Sequence, residues 1–210
     1  MISFDAASSG NTTGLSLTVS HTVGTGKNRI LLVSLGIRTN PVTGDEVTFN
    51  GVALTRYDVQ YPVVGYQALW YLINPDSGTH DIVSTSVASV NHVQASASYF
   101  GVDQVSPIDV GGKTTSDSAS TLSQSLITTA INDWIFASGI DNTETQTAAS
   151  GSTQRATTAL NIVSGIYDNN VSLNPAGTYS IGFDLSGAQS CGIIAFALKP
   201  AALPPKVMLI

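Results

Sequence analysis

The chain has 210 residues, of which 42% are apolar and only 10% charged, with a net charge of −6 and a pI near 4.7. That length suits one large all-β domain, and a charged fraction well under the roughly 25% usual in globular proteins leaves Ser and Thr to supply the polar surface. Eight scattered Lys and Arg form no basic stripe that would displace counterions from phosphates, which excludes a nucleic-acid surface, and the single Cys191 excludes an intrachain disulfide.

The start, Met1-Ile2-Ser3-Phe4-Asp5, has neither the basic nor the apolar region of a secretory leader and reads directly as a strand. No apolar run approaches the ~20 residues that span a bilayer. Leu15, Leu17, Val19, His21 and Val23 alternate with hydroxyl residues, which predicts a half-buried strand with His21 on its apolar side. Residues 29–37 are apolar on both faces, as in a central strand. Residues 47–55 form a hairpin around Asn50-Gly51, a pair suited to the positive φ angles of a type I′ turn. Residues 67–73 end in a turn at 74–78, after which 79–87 is expected to return antiparallel.

Val93, Ala95, Ala97 and Tyr99 alternate with Gln94, Ser96 and Ser98, giving one buried and one hydroxyl-rich face. Residues 114–121 read as a Ser/Thr/Asp loop and 141–152 as an exposed polar excursion. Strands follow at 122–128, 133–140, 160–167, 179–185 and 189–198. The only helix candidate, 145–149, is too short and too rich in Thr to hold. About eleven or twelve strands at this spacing predict an all-β, antiparallel two-sheet β-sandwich, jelly-roll-like, over residues 1–199.

Catalytic chemistry finds little support. Glycoside hydrolysis needs two facing carboxyl groups, and the only two Glu are Glu46 and Glu144; Glu46 adjoins Asp45, so the two point apart on a strand. His21, His80 and His92 lack metal-ligand spacing, and no sequence context selects a nucleophilic Ser to join His80-Asp81 or His92, which are expected near solvent at strand ends. Asp141-Asn142 and Asp168-Asn169-Asn170 gather oxygen ligands of the kind calcium uses, but turns favour the same residues. No catalytic residue, metal or cofactor is expected. Cys191 reads as a small buried hydrophobe, and Trp70 and Trp134 as core. Tyr57, Tyr61 and Tyr66 flank a Pro-Val-Val-Gly loop, and with at least one exposed they are the candidate ligand-binding surface, since aromatic faces stack on sugar rings.

After Lys199-Pro200 the chain ends in Leu203, Pro204, Pro205, Lys206, Val207, Met208, Leu209 and Ile210. Prolines favour an extended spacer, and an apolar terminus needs cover. Residues 200–210 are therefore expected to be an extended arm whose Leu203, Pro204, Pro205, Val207, Met208, Leu209 and Ile210 add a strand or plug to a neighbour.

Four stretches resemble, in order, a β-sandwich module that recurs in bacteriophage virion and tail proteins and in bacterial surface proteins: residues 29–37 (RILLVSLGI), 47–55 (VTFNGVALT), 69–78 with its Trp-Tyr-Leu-Ile-Asn-Pro core, and 99–107 (YFGVDQVSP). Residues 194–200 (IAFALKP) look like its last strand. The resemblance implies a non-enzymatic, jelly-roll-like module. Bacterial surface versions come in tandem within long exported chains, whereas this chain carries one copy and no leader. The expectation is a structural virion protein of a bacteriophage, either capsid decoration or cement or a tail or fibre component. Its partners would be further copies of itself and a capsid or tail protein, with no nucleic acid and no membrane. The alternative is a carbohydrate-binding, receptor-recognising module at the cell surface or outside the cell, whose partners are glycans.

Overall fold

The computed structural model describes residues 1–39, 44–86, 90–142 and 145–202; Glu144 and the arm residues Leu203, Pro204, Pro205, Val207, Met208, Leu209 and Ile210 lie outside them. The described chain is built of strands and turns. The first nine strands are β1 (Ser3–Thr12), β2 (Ser16–Val23), β3 (Ile30–Ile37), β4 (Glu46–Phe49), β5 (Val52–Ala53), β6 (Thr55–Gln60), β7 (Tyr66–Ile73), β8 (Gly78–Thr85) and β9 (His92–Phe100). Then come β10 (Ile108–Ile127), β11 (Trp134–Asp141), β12 (Gln146–Ala148), β13 (Thr153–Ala159), β14 (Val163–Asp168) and β15 (Thr178–Leu198).

Three antiparallel sheets result, with orders β1-β9-β3-β7-β6, β10-β15-β11-β14-β13 and β2-β8-β4-β5. The first two face each other as the antiparallel sandwich that the alternation predicts. Strand β3 explains the stacking: all eight of its residues are buried. Its Leu31, Val33, Leu35 and Ile37 pack with Val47, Phe49 and Ile82 of the β2-β8-β4-β5 sheet. Its Ile30 and Leu32 pack with Phe136, Ile166, Ile194 and Phe196 of the β11–β14–β15 layer. A strand apolar on both faces needs a neighbour on both, and it has them.

The same need recurs one layer further out. Strands β11 and β14 are buried throughout, and their outer face is covered by the long β10–β15 ribbon. Residues 108–116 pair with the end of β15 and residues 121–127 with its beginning, with register shifts between Ser116 and Thr121. There the ribbon bends back, so that Thr114 Oγ1 donates to Gln124 Oε1 of the same strand at 2.7 Å. Leu122, Leu126, Ile181, Phe183 and Leu185 thereby pack onto Ile135, Ala137, Tyr167 and Ile193. Strand β12 joins the ribbon by pairing with β15 at Leu185, Asp184 and Phe183.

Several local expectations change. Residues 114–121 are strand rather than loop, because pairing with β15 outweighs their weak apolar pattern. Residues 179–185 and 189–198 are one strand that bends instead of two. The excursion 141–152 contains β12 and the buried side chains of Asp141 and Gln146. After the turn at Asn74 (φ 49°) and Gly78 (φ 113°), β8 does not return beside β7 but crosses to the third sheet, where it pairs with β2 and β4. The Asn50-Gly51 hairpin has the predicted positive φ angles, 50° and 76°. Gln94, Ser96 and Ser98, the hydroxyl-rich face of β9, are fully buried against the third sheet and β1 instead of facing water.

Close approach of the ribbon depends on Gly139, where an added Cβ would lie 2.7 Å from the Phe183 ring. Gly139→Val is predicted to destabilise the fold by about 1–3 kcal/mol through overpacking, measured by urea unfolding. Gly151→Val, where an added Cβ would meet nothing within 4 Å but the φ of +79° strains any side chain, is the comparison for a backbone cost without a clash.

Candidate functional site

The loop joining β6 to β7, Tyr61-Pro62-Val63-Val64-Gly65, is fixed at its base and open at its tip. Gly65 N donates to Pro62 O at 2.9 Å, closing a tight turn. Gly65 sits at φ +144°, and a Cβ there would meet Ile37 O at 2.4 Å, so glycine is required. Val64 is buried with Val93, Ile140 and Ile162, and its N–H donates to Ser190 Oγ. What this anchoring pushes outward is Tyr61, 47% exposed, and Val63, 78% exposed.

The three tyrosines of the expected surface separate. Tyr66 lies in the core, its hydroxyl donating to Asp45 Oδ2, whose other oxygen pairs with Arg56 at 3.2 Å. Burial and the adjacent Asp45 push the Tyr66 hydroxyl far above its ordinary pKa. Arg56 in turn lies over the Trp70 ring, 5.5 Å from its centroid. Tyr57 is half-buried with its ring against Phe196 at 4.8 Å. Tyr61 alone presents its ring to solvent, backed by Tyr66 at 5.7 Å. Trp70 and Trp134 are core, as expected.

Tyr61 borders a shallow depression of about 520 Å³, completed by Val59, Gln60, Lys113, Thr114 and Thr115. Lys113 Nζ is held there by Asp58 at 2.7 Å and Val59 O at 2.8 Å. The Gln60 amide turns inward to Gln67. On the other flank, Val63, Val64 and Gly65 share a second depression of about 320 Å³ with Arg38, Asn142 and Ser190. Arg38 donates there to Asn142 Oδ1 and Asn161 O. The Tyr61 depression offers one aromatic face, the Thr114 and Thr115 hydroxyls and one held cation, Lys113, and the neighbouring depression adds Arg38, a set that suits a flexible polar ligand. The sequence located the loop. Lys113, Thr114 and Thr115 carried no local signal, because only the β10–β15 pairing places them beside it.

Elsewhere the polar groups are engaged in holding layers together. Asp168 accepts a bidentate pair from Arg155 at 2.7 and 3.0 Å, the Tyr99 hydroxyl at 2.8 Å and the Asn170 N–H at 2.9 Å. Asp141 accepts from Gln146 Nε2 at 2.6 Å. The two loops with calcium-type residues therefore have their buried carboxylates occupied by protein donors. Among the described residues no three His, Cys, Asp or Glu converge as metal ligands. Cys191 is buried, and burial raises its thiol to about 11.

The three histidines do not converge, although His21 and His80 face each other across β2 and β8. His92, expected near solvent, is fully buried because β9 is central, and its Nε2 contacts Ser84 Oγ at 3.0 Å. His80 packs edge-on against Phe49 at 5.5 Å. His21 bridges Ser8 Oγ (2.9 Å) and Ser98 Oγ (3.1 Å), and Ser98 donates to Asp5 Oδ2 at 2.7 Å. Ser, His and Asp are thus linked, but Asp5 grips Ser98 and the Gly24 N–H rather than the imidazole. A hydrolytic triad needs the carboxylate on the ring, so this chain of hydrogen bonds tethers β1, β2 and β9.

A further buried carboxyl lies just before β11, at the end of that strand remote from Asp141. Asp133 is fully buried, and no donor reaches either of its oxygens among the described residues. Burial raises it to about 7, helped by the hydrogen bond that its protonated form donates to Asp109 and by that group's negative charge, with Lys199 acting the other way. Burial also works to raise Asp109, but hydrogen bonds from Thr129 and Ala130 hold it below its usual value.

Comparison with known proteins found no protein family, no curated protein and no solved structure that matches this chain.

Opposing pH effects follow from these groups. Burial lowers His21 and His92 to about 4. Between pH 6.5 and 4 the unfolded chain binds protons that the folded one refuses, so stability falls as pH falls. Asp133 is raised, so the folded chain binds the extra proton, and its contribution is lost as pH rises from about 4 to 7. Each shift is worth roughly 3–4 kcal/mol. Two histidines outweigh one aspartate, and the protein is predicted to lose net stability on acidification from pH 6.5 to 4. Asp133→Asn removes the opposing contribution, so its stability relative to the parent should increase between pH 4 and 7, as read by urea unfolding at each pH.

Proposed function

We propose that this protein is a non-enzymatic structural component that works by contact with further copies of itself and with other structural proteins. A bacteriophage virion is the setting to which its sequence resemblance points, as capsid decoration or as part of a tail or fibre. The observation that carries this reading is the fixed root of the arm. Lys199 N donates to Pro107 O at 2.7 Å, Asp103 N to Lys199 O at 2.9 Å and Ala201 N to Gly101 O at 2.8 Å. The last described residues are therefore tied into the sandwich, beside a small pocket lined by Met1, Asn132, Pro200 and Ala201. Exposed apolar side chains border the same end, with Met1 at 85% and Ile131 at 58%. A sequence as apolar as 203–210 that starts from such a root gains most by burying itself in a neighbour.

The second reading is glycan recognition, favoured by the outward Tyr61 ring and the hydroxyl and cationic groups of its depression. Stacking on a sugar ring would use the aromatic face that Tyr66 supports from behind.

Two measurements separate these readings. Light scattering of the full chain beside one ending at Ala202 is predicted to give a larger assembly only for the full chain; equal masses would overturn the arm's role. Tyr61→Ala is predicted to abolish any saturable signal on a glycan array without lowering the melting temperature, whereas a signal that survives would place sugar binding elsewhere.

A further inference from the structure

We propose that the C-terminal half of β10 is a self-complementary edge through which two copies pair antiparallel about Gln124, continuing one sheet across a two-fold axis. This rests on the multimeric reading above and names its surface. Strand β10 ends its sheet, with β15 on one side and no strand on the other among the described residues. An unpaired edge is a row of free backbone donors and acceptors that templates another strand, and proteins usually blunt it with charges, proline or bulges.

The two halves of β10 differ in this respect. The first half carries Asp109, Lys113 and Asp117, three register shifts accumulate before Thr121, and β6 approaches it through the Lys113–Asp58 ion pair. From Thr121 to Ile127 none of these protections applies. The seven residues pair with β15 without interruption, from Thr121 opposite Asp184 to Ile127 opposite Thr178. They include no charge and no proline.

The occupant is identified by the sequence of the edge itself. Leu122-Ser123-Gln124-Ser125-Leu126 reads the same in both directions. Antiparallel pairing about Gln124 sets Leu122 against the second copy's Leu126 and Ser123 against its Ser125. Leu122 and Leu126 are buried in the layer beneath the ribbon, so that layer would run on into the second copy. On the outer face the serines meet without charge conflict, and Ile127, 69% exposed, gains a neighbour in the second copy's Thr121. A two-fold contact must be self-complementary in this way.

The test uses the full chain. Gln124→Cys places two thiols at the two-fold, within the ~4.5–5.5 Å Cβ spacing of opposed strand residues, and mild oxidation should give a disulfide-linked dimer; buried Cys191 leaves the parent unlinked. The independent variant Ser123→Lys/Ser125→Lys sets like charges opposite each other and should weaken association at least tenfold with an unchanged near-UV circular dichroism spectrum. Ser123→Lys/Ser125→Glu sets opposite charges across the axis and should restore it. An oligomer that ignores the double-lysine variant, or a folded Gln124→Cys chain that does not cross-link, overturns the edge and leaves the multimeric reading standing. A chain that stays monomeric at every concentration overturns both.

Discussion

The constraint on which this structure depends is that its central strands are apolar on both faces. A sheet buried on one side can stop at water; β3, with eight buried residues of eight, cannot. It forces a layer above and a layer below. Strands β11 and β14 repeat the demand on the next sheet, and the chain meets it by bending the β10–β15 ribbon over them. Stacking therefore spreads outward until it reaches strands with a face that tolerates solvent, such as β2 with its strict buried and exposed alternation.

Burying so many layers also buries polar groups, and their pairing gives each interface its register. Ser34 Oγ lies 2.5 Å from Ser138 Oγ and 2.7 Å from Ser164 Oγ, joining the two facing sheets. Gln67 Nε2 donates to the Ser138 carbonyl and hydroxyl from the same side. Small hydroxyls suit this position because they satisfy one another across a dry interface, whereas an unpaired one would cost about 1–3 kcal/mol. The low charge content thus has a structural use: hydroxyls replace ions wherever sheets meet. Among the described residues three ion pairs are the exceptions, Arg56–Asp45, Lys113–Asp58 and Arg155–Asp168, and in the last of them Tyr99 and Asn170 complete the hydrogen bonds.

Function is then left to what the stacking does not consume. With the buried His and most buried Asp engaged in tethering strands, the side chains free to meet a partner are at the margins. These are the Tyr61 loop, the end of the sandwich at the arm's root, and the unpaired edge of β10. The proposed multimeric assembly and glycan recognition would both draw on these surfaces.

The sequence by itself determined the all-β character, most strand positions, the Asn50-Gly51 turn and the burial of His21, because local alternation and turn chemistry are properties of neighbouring residues. It also located the loop from which Tyr61 projects. It did not decide which faces meet water. The hydroxyl face of β9 has the period of an exposed strand face and residues 114–121 have the composition of a loop, and only long-range pairing buried the first and made a strand of the second. Tyr57, Tyr61 and Tyr66 are equivalent in sequence but became half-buried, exposed and buried. A period of two assigns residues to a shared face, and what that face touches is settled by strands far away in the chain.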